Sequence, residues 1–241
     1  MQSLKNGCLW IGTAGWSVPA AQAGHFPQQG SHLARYGQVF PAVEINSSFY
    51  RPHRPATYAR WADTVPPGFR FAVKLPKRIT HEARLEGAED ILARFLEETA
   101  RLDRKRGPLL VQLPPSLAFD ATICGAFFEM LRGRCDGPVA CEPRHPSWFR
   151  DDVDLLLGRF RVARVAADPA VVPRAAEPGG WTELRYYRLH GSPRIYYSAY
   201  APEHLARLRH HLFGETGEVW CIFDNTAEGA AMHDALAVLR G

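Results

Sequence analysis

Eight short apolar or β-branched runs recur along this 241-residue chain: Cys8–Gly12, Ala42–Asn46, Phe69–Leu75, Pro108–Leu113, Val139–Glu142, Arg161–Asp168, Tyr186–Gly191 and Glu218–Asn225. Their starts average 30 residues apart, the length of a strand plus a returning helix and far more than a hairpin repeat. That spacing predicts parallel strands joined by crossovers. Some runs, such as Leu109-Leu110-Val111, are apolar without interruption, as expected of a parallel sheet covered on both faces. Eight units, with no Gly-x-Gly-x-x-Gly after the first run, favour an α/β fold of the closed (β/α)8 TIM-barrel type over an open doubly wound sheet. The length suits one such barrel, so residues 1–241 are read as a single domain.

Helical period is clearest at Glu89–Lys105, where Ile91, Leu92, Phe95, Leu96, Thr99 and Leu102 share a face. It recurs in Ala201–Leu212 and Glu228–Leu239. The Pro/Gly-rich stretch Pro169–Gly180 reads as a long surface loop, which on this side of a barrel is either mobile or part of the site. No apolar stretch approaches the roughly 18 residues of a membrane span and the start lacks a signal-peptide core, so a cytoplasmic protein is expected. Cys8, Cys124, Cys135, Cys141 and Cys221 form no Cys-x-x-Cys pair and read as reduced structural thiols. A net charge of +4 is too mild to mark a nucleic-acid binder by itself.

Barrel enzymes carry their chemistry at the C-terminal strand ends, and here every run ends in polar residues. The first ends at Thr13 and the second in Glu44-Ile45-Asn46-Ser47-Ser48-Phe49-Tyr50. Lys74 and Gln112 close the third and fourth, and the fifth continues into Glu142-Pro143-Arg144-His145-Pro146-Ser147-Trp148. Asp168 closes the sixth, Arg188-Leu189-His190-Gly191 the seventh, and Asp224-Asn225 the eighth. Two-residue alternation puts Glu44 with Asn46, and Arg188 with His190, on common faces.

These segments, together with Ile11-Gly12-Thr13-Ala14-Gly15-Trp16, Phe71-Ala72-Val73-Lys74, Val111-Gln112-Leu113-Pro114-Pro115 and Phe223-Asp224-Asn225-Thr226, resemble those of the YecE-like family, domain of unknown function 72. The resemblance runs in order along nearly the whole chain. It implies a TIM-type barrel with a polar pocket at the strand ends, and it carries no established reaction. Where family members often have a longer aromatic-rich segment, this chain has Val18-Pro19 and a short Ala/Gln stretch.

Each polar end has a structural alternative. Glu44 can pair with Lys74, and Glu142 with Arg144 can brace a turn. Asp168 and Asp224-Asn225 can cap, and His190 can be a satisfied core residue. One shared pocket explains all of them more economically. Around it, Arg51, His53, Arg54, Lys77, Arg78, His81, Arg84 and Arg194 alternate with Trp16, Phe49, Tyr50, Trp148, Tyr196 and Tyr197, which suits an anionic, ring-bearing ligand.

Two functions are therefore weighed. The first is a hydrolase or lyase acting on a phosphorylated or nucleic-acid-derived substrate. Glu44 and Glu142 would serve as general acid and base, His190 would transfer a proton, and Lys74 and Arg188 would stabilise negative charge. Asp224 joins this catalytic set. Thr13, Asn46, Tyr50, Gln112, Arg144, His145, Trp148, Asp168, Arg188 and Asn225 would bind substrate. The carboxylates and His190 are acceptable ligands for a divalent metal, but no His-x-His or His-Glu-x-x-His spacing commits the chain to one. The second function is a module that binds nucleic acid without cutting it, with affinity falling steeply as salt rises.

Overall fold

The computed structural model describes residues 2–4 and 7–241, with side chains from Gly7 onward. The eight predicted runs all contain strands. They are β2 (Gly7–Thr13), β3 (Ala42–Ile45), β4 (Arg70–Lys74), β5 (Arg106–Gln112), β6 (Val139–Glu142), β7 and β8 (Val162–Arg164 and Ala166–Asp168), β10 (Leu184–Leu189) and β11 (Gly217–Phe223). Short β1 (Gln2–Leu4) and β9 (Gly179–Gly180) add antiparallel edges to β2 and β7. The helices are α1 (His32–Gly37), α2 (Ser47–Tyr50), α3 (Pro55–Thr64), α4 (Glu89–Thr99), α5 (Ala121–Arg132), α6 (Asp151–Arg159), α7 (Pro202–Gly214) and α8 (Ala230–Arg240).

The ladders form two sheets, β1-β2-β11-β10-β8 and β3-β4-β5-β6-β7-β9, parallel except at those edges. The expected α/β class with parallel strands is therefore present, as two hydrogen-bonded sheets. They adjoin at two places. The sixth run passes from one sheet to the other at Val165, and β2 meets β3 at a single parallel bridge, Ala14 to Glu44. Close approach there depends on Gly12, since a methyl group at that position would run into the Ala42 carbonyl. Tyr36 stitches the same seam. Its hydroxyl donates to Ala42 O at 2.9 Å and accepts from the Thr13 amide at 2.9 Å.

Alternation along the strands separates two cores. Outward residues such as Leu9, Val43, Phe71, Val111, Cys141 and Phe223 pack with the helices in the larger one. The inner core is small: Trp10, Ala14, Ala42, Ala72, Leu110, Ala140, Ala163, Val165, Leu184, Tyr186, Trp220 and Ile222. Alanines on β3, β4, β6 and β7 leave room for Tyr186 and Trp220, which stack with their rings parallel at 6.1 Å.

The predicted helix Glu89–Lys105 stops at Thr99 and continues as a 3-10 turn, Ala100–Lys105, interrupted at Asp103 (φ 49°, ψ −132°). The other two follow expectation within two residues. Part of the predicted loop Pro169–Gly180 is tied down: Arg164 donates to the carbonyls of Arg174 and Glu177, both at 3.1 Å. Among the described residues no helix is long and apolar enough to cross a membrane.

Candidate functional site

The inward parity that lines the strands with alanine becomes polar at their C-terminal ends. Two residues beyond Ala42, Ala72, Leu110 and Ala140 lie Glu44, Lys74, Gln112 and Glu142; beyond Tyr186 come Arg188 and His190, and beyond Ile222 comes Asp224. All seven are at least nine-tenths buried.

Arg188, wholly buried, is the hub. Its Nε and one terminal nitrogen grip Glu44 at 3.0 and 2.7 Å, its other terminal nitrogen reaches Glu142 at 2.6 Å, and a shared contact reaches Asp224 at 3.0 Å. This fork matches carboxylate geometry in a way a lysine would not. The Tyr186 hydroxyl completes Glu44 by donating to its Oε2 at 2.9 Å. Glu142 also receives Arg144 at 3.3 Å, and Arg144 donates to the Tyr196 hydroxyl at 2.8 Å.

His190 sits between two acceptors, with Nε2 2.8 Å from Glu142 and Nδ1 3.1 Å from Asp224. A neutral imidazole can donate to only one of two carboxylates, so the form that satisfies both contacts is the imidazolium. Burial lowers the His190 pKa, but Glu142 and Asp224 outweigh it and the net shift is upward. Burial likewise raises Glu142 and Asp224, yet Arg188 with its cationic neighbours holds Glu142 well below the ordinary range and lowers Asp224.

Lys74 is different. Burial first, then the Arg188 charge, push its ammonium down to about 8 against the pull of Glu44, Asp224 and Glu142. Among the described residues no oxygen accepts a hydrogen bond from its Nζ, which lies 4.2 Å over the Phe49 ring. Ser48 sets that ring in place, since its hydroxyl donates to Lys74 O at 2.6 Å and docks α2 on the end of β4. His81 stands edge-on to Phe49 at 4.9 Å, and Tyr196 edge-on to His190 at 5.7 Å.

Seven of the predicted residues thus converge, Glu44, Lys74, Glu142, Arg144, Arg188, His190 and Asp224, and Gln112 shares their inward parity beside Glu142. Asn46 lies past the end of β3 with helical dihedrals (φ −87°, ψ −20°), where strand parity no longer applies, and its Oδ1 is buried without a partner among the described residues. Others do not join them. Thr13, Asp168 and Asn225 have the outward parity. Thr13 bonds Gly15 O and Tyr36, Asp168 accepts from Tyr200 at 2.9 Å, and Asn225 holds Ser198 O and Asp234 at 2.9 and 2.7 Å. His145 caps the turn at Pro146–Trp148 by accepting from the Ser147 amide. Trp148 has no exposure and gives its indole N–H to Leu117 O at 2.8 Å, and Tyr50 is 68% exposed on the rim. Tyr186, which completes Glu44, went unpredicted, although it shares a face with Arg188 and His190.

Two expected roles change. Glu44 has both oxygens engaged and faces Arg188, not Lys74. Glu142 is held as an anion, so the two glutamates are not poised as an acid and a base; His190 and Lys74 carry the site's protons. No group of three or more His, Cys, Asp or Glu among the described residues is arranged to hold a metal ion.

The family model for "Protein of unknown function DUF72" matches residues 10–240. The chain belongs to the DUF72 family. UPF0759 protein YecE of Escherichia coli K12 is 29% identical over 143 residues, 58% of this chain and 50% of that protein, so the chain spans about half the length of the curated relatives it matches. Two DUF72 proteins of solved structure share the fold. One, from Enterococcus faecalis V583, has TM-score 0.78 and 22% identity over 97% of this chain and 96% of its own. The other, from Thermotoga maritima, has TM-score 0.78 and 24% identity over 95% and 97%.

Proposed function

We propose that the buried cluster is the active site of an enzyme, a hydrolase or lyase that acts on a phosphorylated or nucleic-acid-derived substrate. We also read the two sheets as one (β/α)8 ring, closed through the Ala14–Glu44 bridge and the Val162–Asp168 run, with the cluster at its mouth. The observation that carries the proposal is the pair His190 and Lys74. One cluster pushes an imidazole up and an amine down, and opposed shifts of this kind mark groups set to exchange protons near neutral pH. A purely structural cluster would have no use for an amine with no hydrogen-bond acceptor among the described residues.

In this reading Arg188 and Tyr186 fix Glu44, and Arg188 fixes Glu142 and Asp224. The two latter carboxylates hold the proton on His190 and orient the ring. Substrate contacts come from Lys74 and His190, with Arg144 binding an anionic group. Three carboxylates face Arg188, Arg144, the His190 imidazolium and Lys74, so the protonated cluster has one uncompensated positive charge. A bound anion balances it. Exposed Arg51 and Lys77 and the exposed rings of Tyr50 and Tyr197 extend the same preference along the rim. Asn46 and Gln112 are proposed as further contacts.

Incubation with sugar phosphates, nucleotides and short oligonucleotides, followed by product mass analysis, tests the proposal. Turnover in the wild type that disappears in Glu142→Gln, with the fold intact by circular dichroism, is expected. Turnover unaffected by that change moves the chemistry elsewhere. Salt-dependent oligonucleotide binding without any product would favour the binding module instead.

A further inference from the structure

The basic residues of this chain are almost all arginine: of 29, only Lys5, Lys74, Lys77 and Lys105 are lysines. Lys77 is exposed and paired with Glu82 at 3.1 Å, and Lys105 is half-buried and gives its ammonium to the carbonyls of Ala62 and Val65, both at 2.6 Å. Lys74 alone of the described lysines is buried, at 5% exposure, and no described acceptor takes its Nζ. If the position required only a positive charge, an arginine beside these carboxylates would supply it permanently, as Arg188 and Arg144 already do. What a lysine adds is a group that can lose its proton and become a nucleophile.

Resting on the proposed active site, we infer that Lys74 is a covalent nucleophile: its amine condenses with the carbonyl carbon of a phosphorylated aldehyde or ketone to form an imine. The depressed ammonium pKa supports the geometry, because a useful fraction of Lys74 is already the free amine near neutral pH. The charged groups that bear on it most belong to the site: Arg188 opposes the charge, while Glu44, Asp224 and Glu142 favour it. His81, across the Phe49 ring, feels the Lys74 charge in turn.

The step balances within these residues. The Nζ lone pair forms the N–C bond while the carbonyl π electrons move to oxygen, which takes a proton to give the neutral carbinolamine as nitrogen loses one. Nitrogen then expels the hydroxyl, which leaves as water with a proton from the His190 imidazolium, and a protonated imine remains on Lys74. Glu142 and Asp224, each in contact with His190, hold the ring as it gives up and regains that proton. The protonated imine accepts the electron pair of a breaking bond one carbon away, which is what a lyase requires. The phosphate of the substrate is placed at Arg144, 21% exposed on the side chain and next to the cluster.

Borohydride trapping tests the inference on the intact chain. The protein is incubated with glyceraldehyde 3-phosphate and, separately, with pyridoxal 5′-phosphate, reduced with sodium borohydride, and read by intact and peptide mass. A single reduced adduct on the Lys74 peptide is expected, rising in yield between about pH 7 and 9. Lys74→Arg keeps the charge and cannot form an imine, so it should drop the adduct below about a tenth of the wild-type yield. Adducts confined to Lys5, Lys77, Lys105 or the N-terminus, or none at all, overturn the inference. If Lys74→Arg retains turnover of a substrate found in the screen above, imine chemistry is excluded and the active site stands. If the wild type turns over nothing in that screen and Lys74 is still trapped, the nucleophile stands and the assigned substrate class falls.

Discussion

Arg164 and Arg188 are both buried arginines near strand ends, at 1% and 0% exposure, yet they serve opposite purposes. Arg164 points outward from β7. It pairs with Asp154 at 2.7 Å, spends its remaining donors on two loop carbonyls, and stacks over Phe149 at 5.1 Å. Its neighbourhood is Asp154, a second arginine, Arg174, which also pairs with Asp151, and backbone, with neither an imidazole nor an amine among the paired groups. Arg188 points inward, and its hydrogen bonds among the described residues all go to carboxylates, of which Glu142 and Asp224 also hold His190 and all three act on Lys74. The first arrangement closes a loop over the outside of the sheet; the second prepares protons. Burial and ion pairing are common to both, so neither identifies a site by itself. The mark of the second is that it holds an imidazole and an amine whose pKa values shift in opposite directions.

Substitution at the two arginines should expose that difference most strongly. Arg188→Met leaves three buried carboxylates without their common partner and is expected to cost at least 3–5 kcal/mol, read by urea unfolding. Arg164→Met should cost about 1–3 kcal/mol, because Asp154 loses its bonds from Arg164 but keeps Arg174 at 2.8 Å, and the two loop carbonyls lose their donor. Equal losses at the two positions would erase the distinction.

The pH dependence of stability is the next largest effect. Glu142 and Asp224 titrate below their unfolded values, so their contribution is present above about pH 4 and is lost as pH falls through the folded values. His190 runs the other way. Its folded pKa lies above 6.5, so its stabilisation is complete below about pH 6.5 and is lost as pH rises through the folded value. Lys74, down at about 8, reverses the slope again, and stability recovers between roughly pH 8 and 10 as the unfolded ammonium loses its advantage. Denaturant titrations across this range should show the fall near neutrality in the wild type and not in His190→Gln. An identical profile in the variant would place the titrating group elsewhere.

Smaller effects sharpen the roles. Lys74→Met removes a charge that burial already disfavours, so stability should stay within about 1 kcal/mol of wild type or rise. A loss of several kcal/mol would show that Lys74 is a structural partner of the carboxylates after all. Tyr196→Phe removes only one acceptor of an arginine whose side chain is 21% exposed and should cost no more than about 1 kcal/mol. Its melting temperature should fall less than that of Tyr186→Phe, which strips a wholly buried donor from Glu44.

Much of this was legible in the chain. The 30-residue recurrence of apolar runs implied parallel strands with crossovers, because only a returning helix fills that interval. The polar strand ends marked the level of the site. Parity along each strand was also legible: from Ala42, Ala72 and Ala140 it leads by a step of two to Glu44, Lys74 and Glu142, and carried to the sixth and eighth runs it sets Asp168 and Asn225 on the outer face. Sequence alone did not say which parity faces inward at each strand, since both faces of these strands are buried and their hydrophobicity is alike. Nor did it pair charge with charge. Glu44 meets Arg188, 144 positions away, and not Lys74 on the adjoining strand, because the guanidinium fork and the space left by the alanines decide that contact. What the sequence by itself determined was the repeat, the parallel class and the polar layer, which follow from local periodicity. The tertiary structure decided which of those polar residues share one buried volume, and with it which of them keep a proton, because desolvation and Coulomb forces act through space.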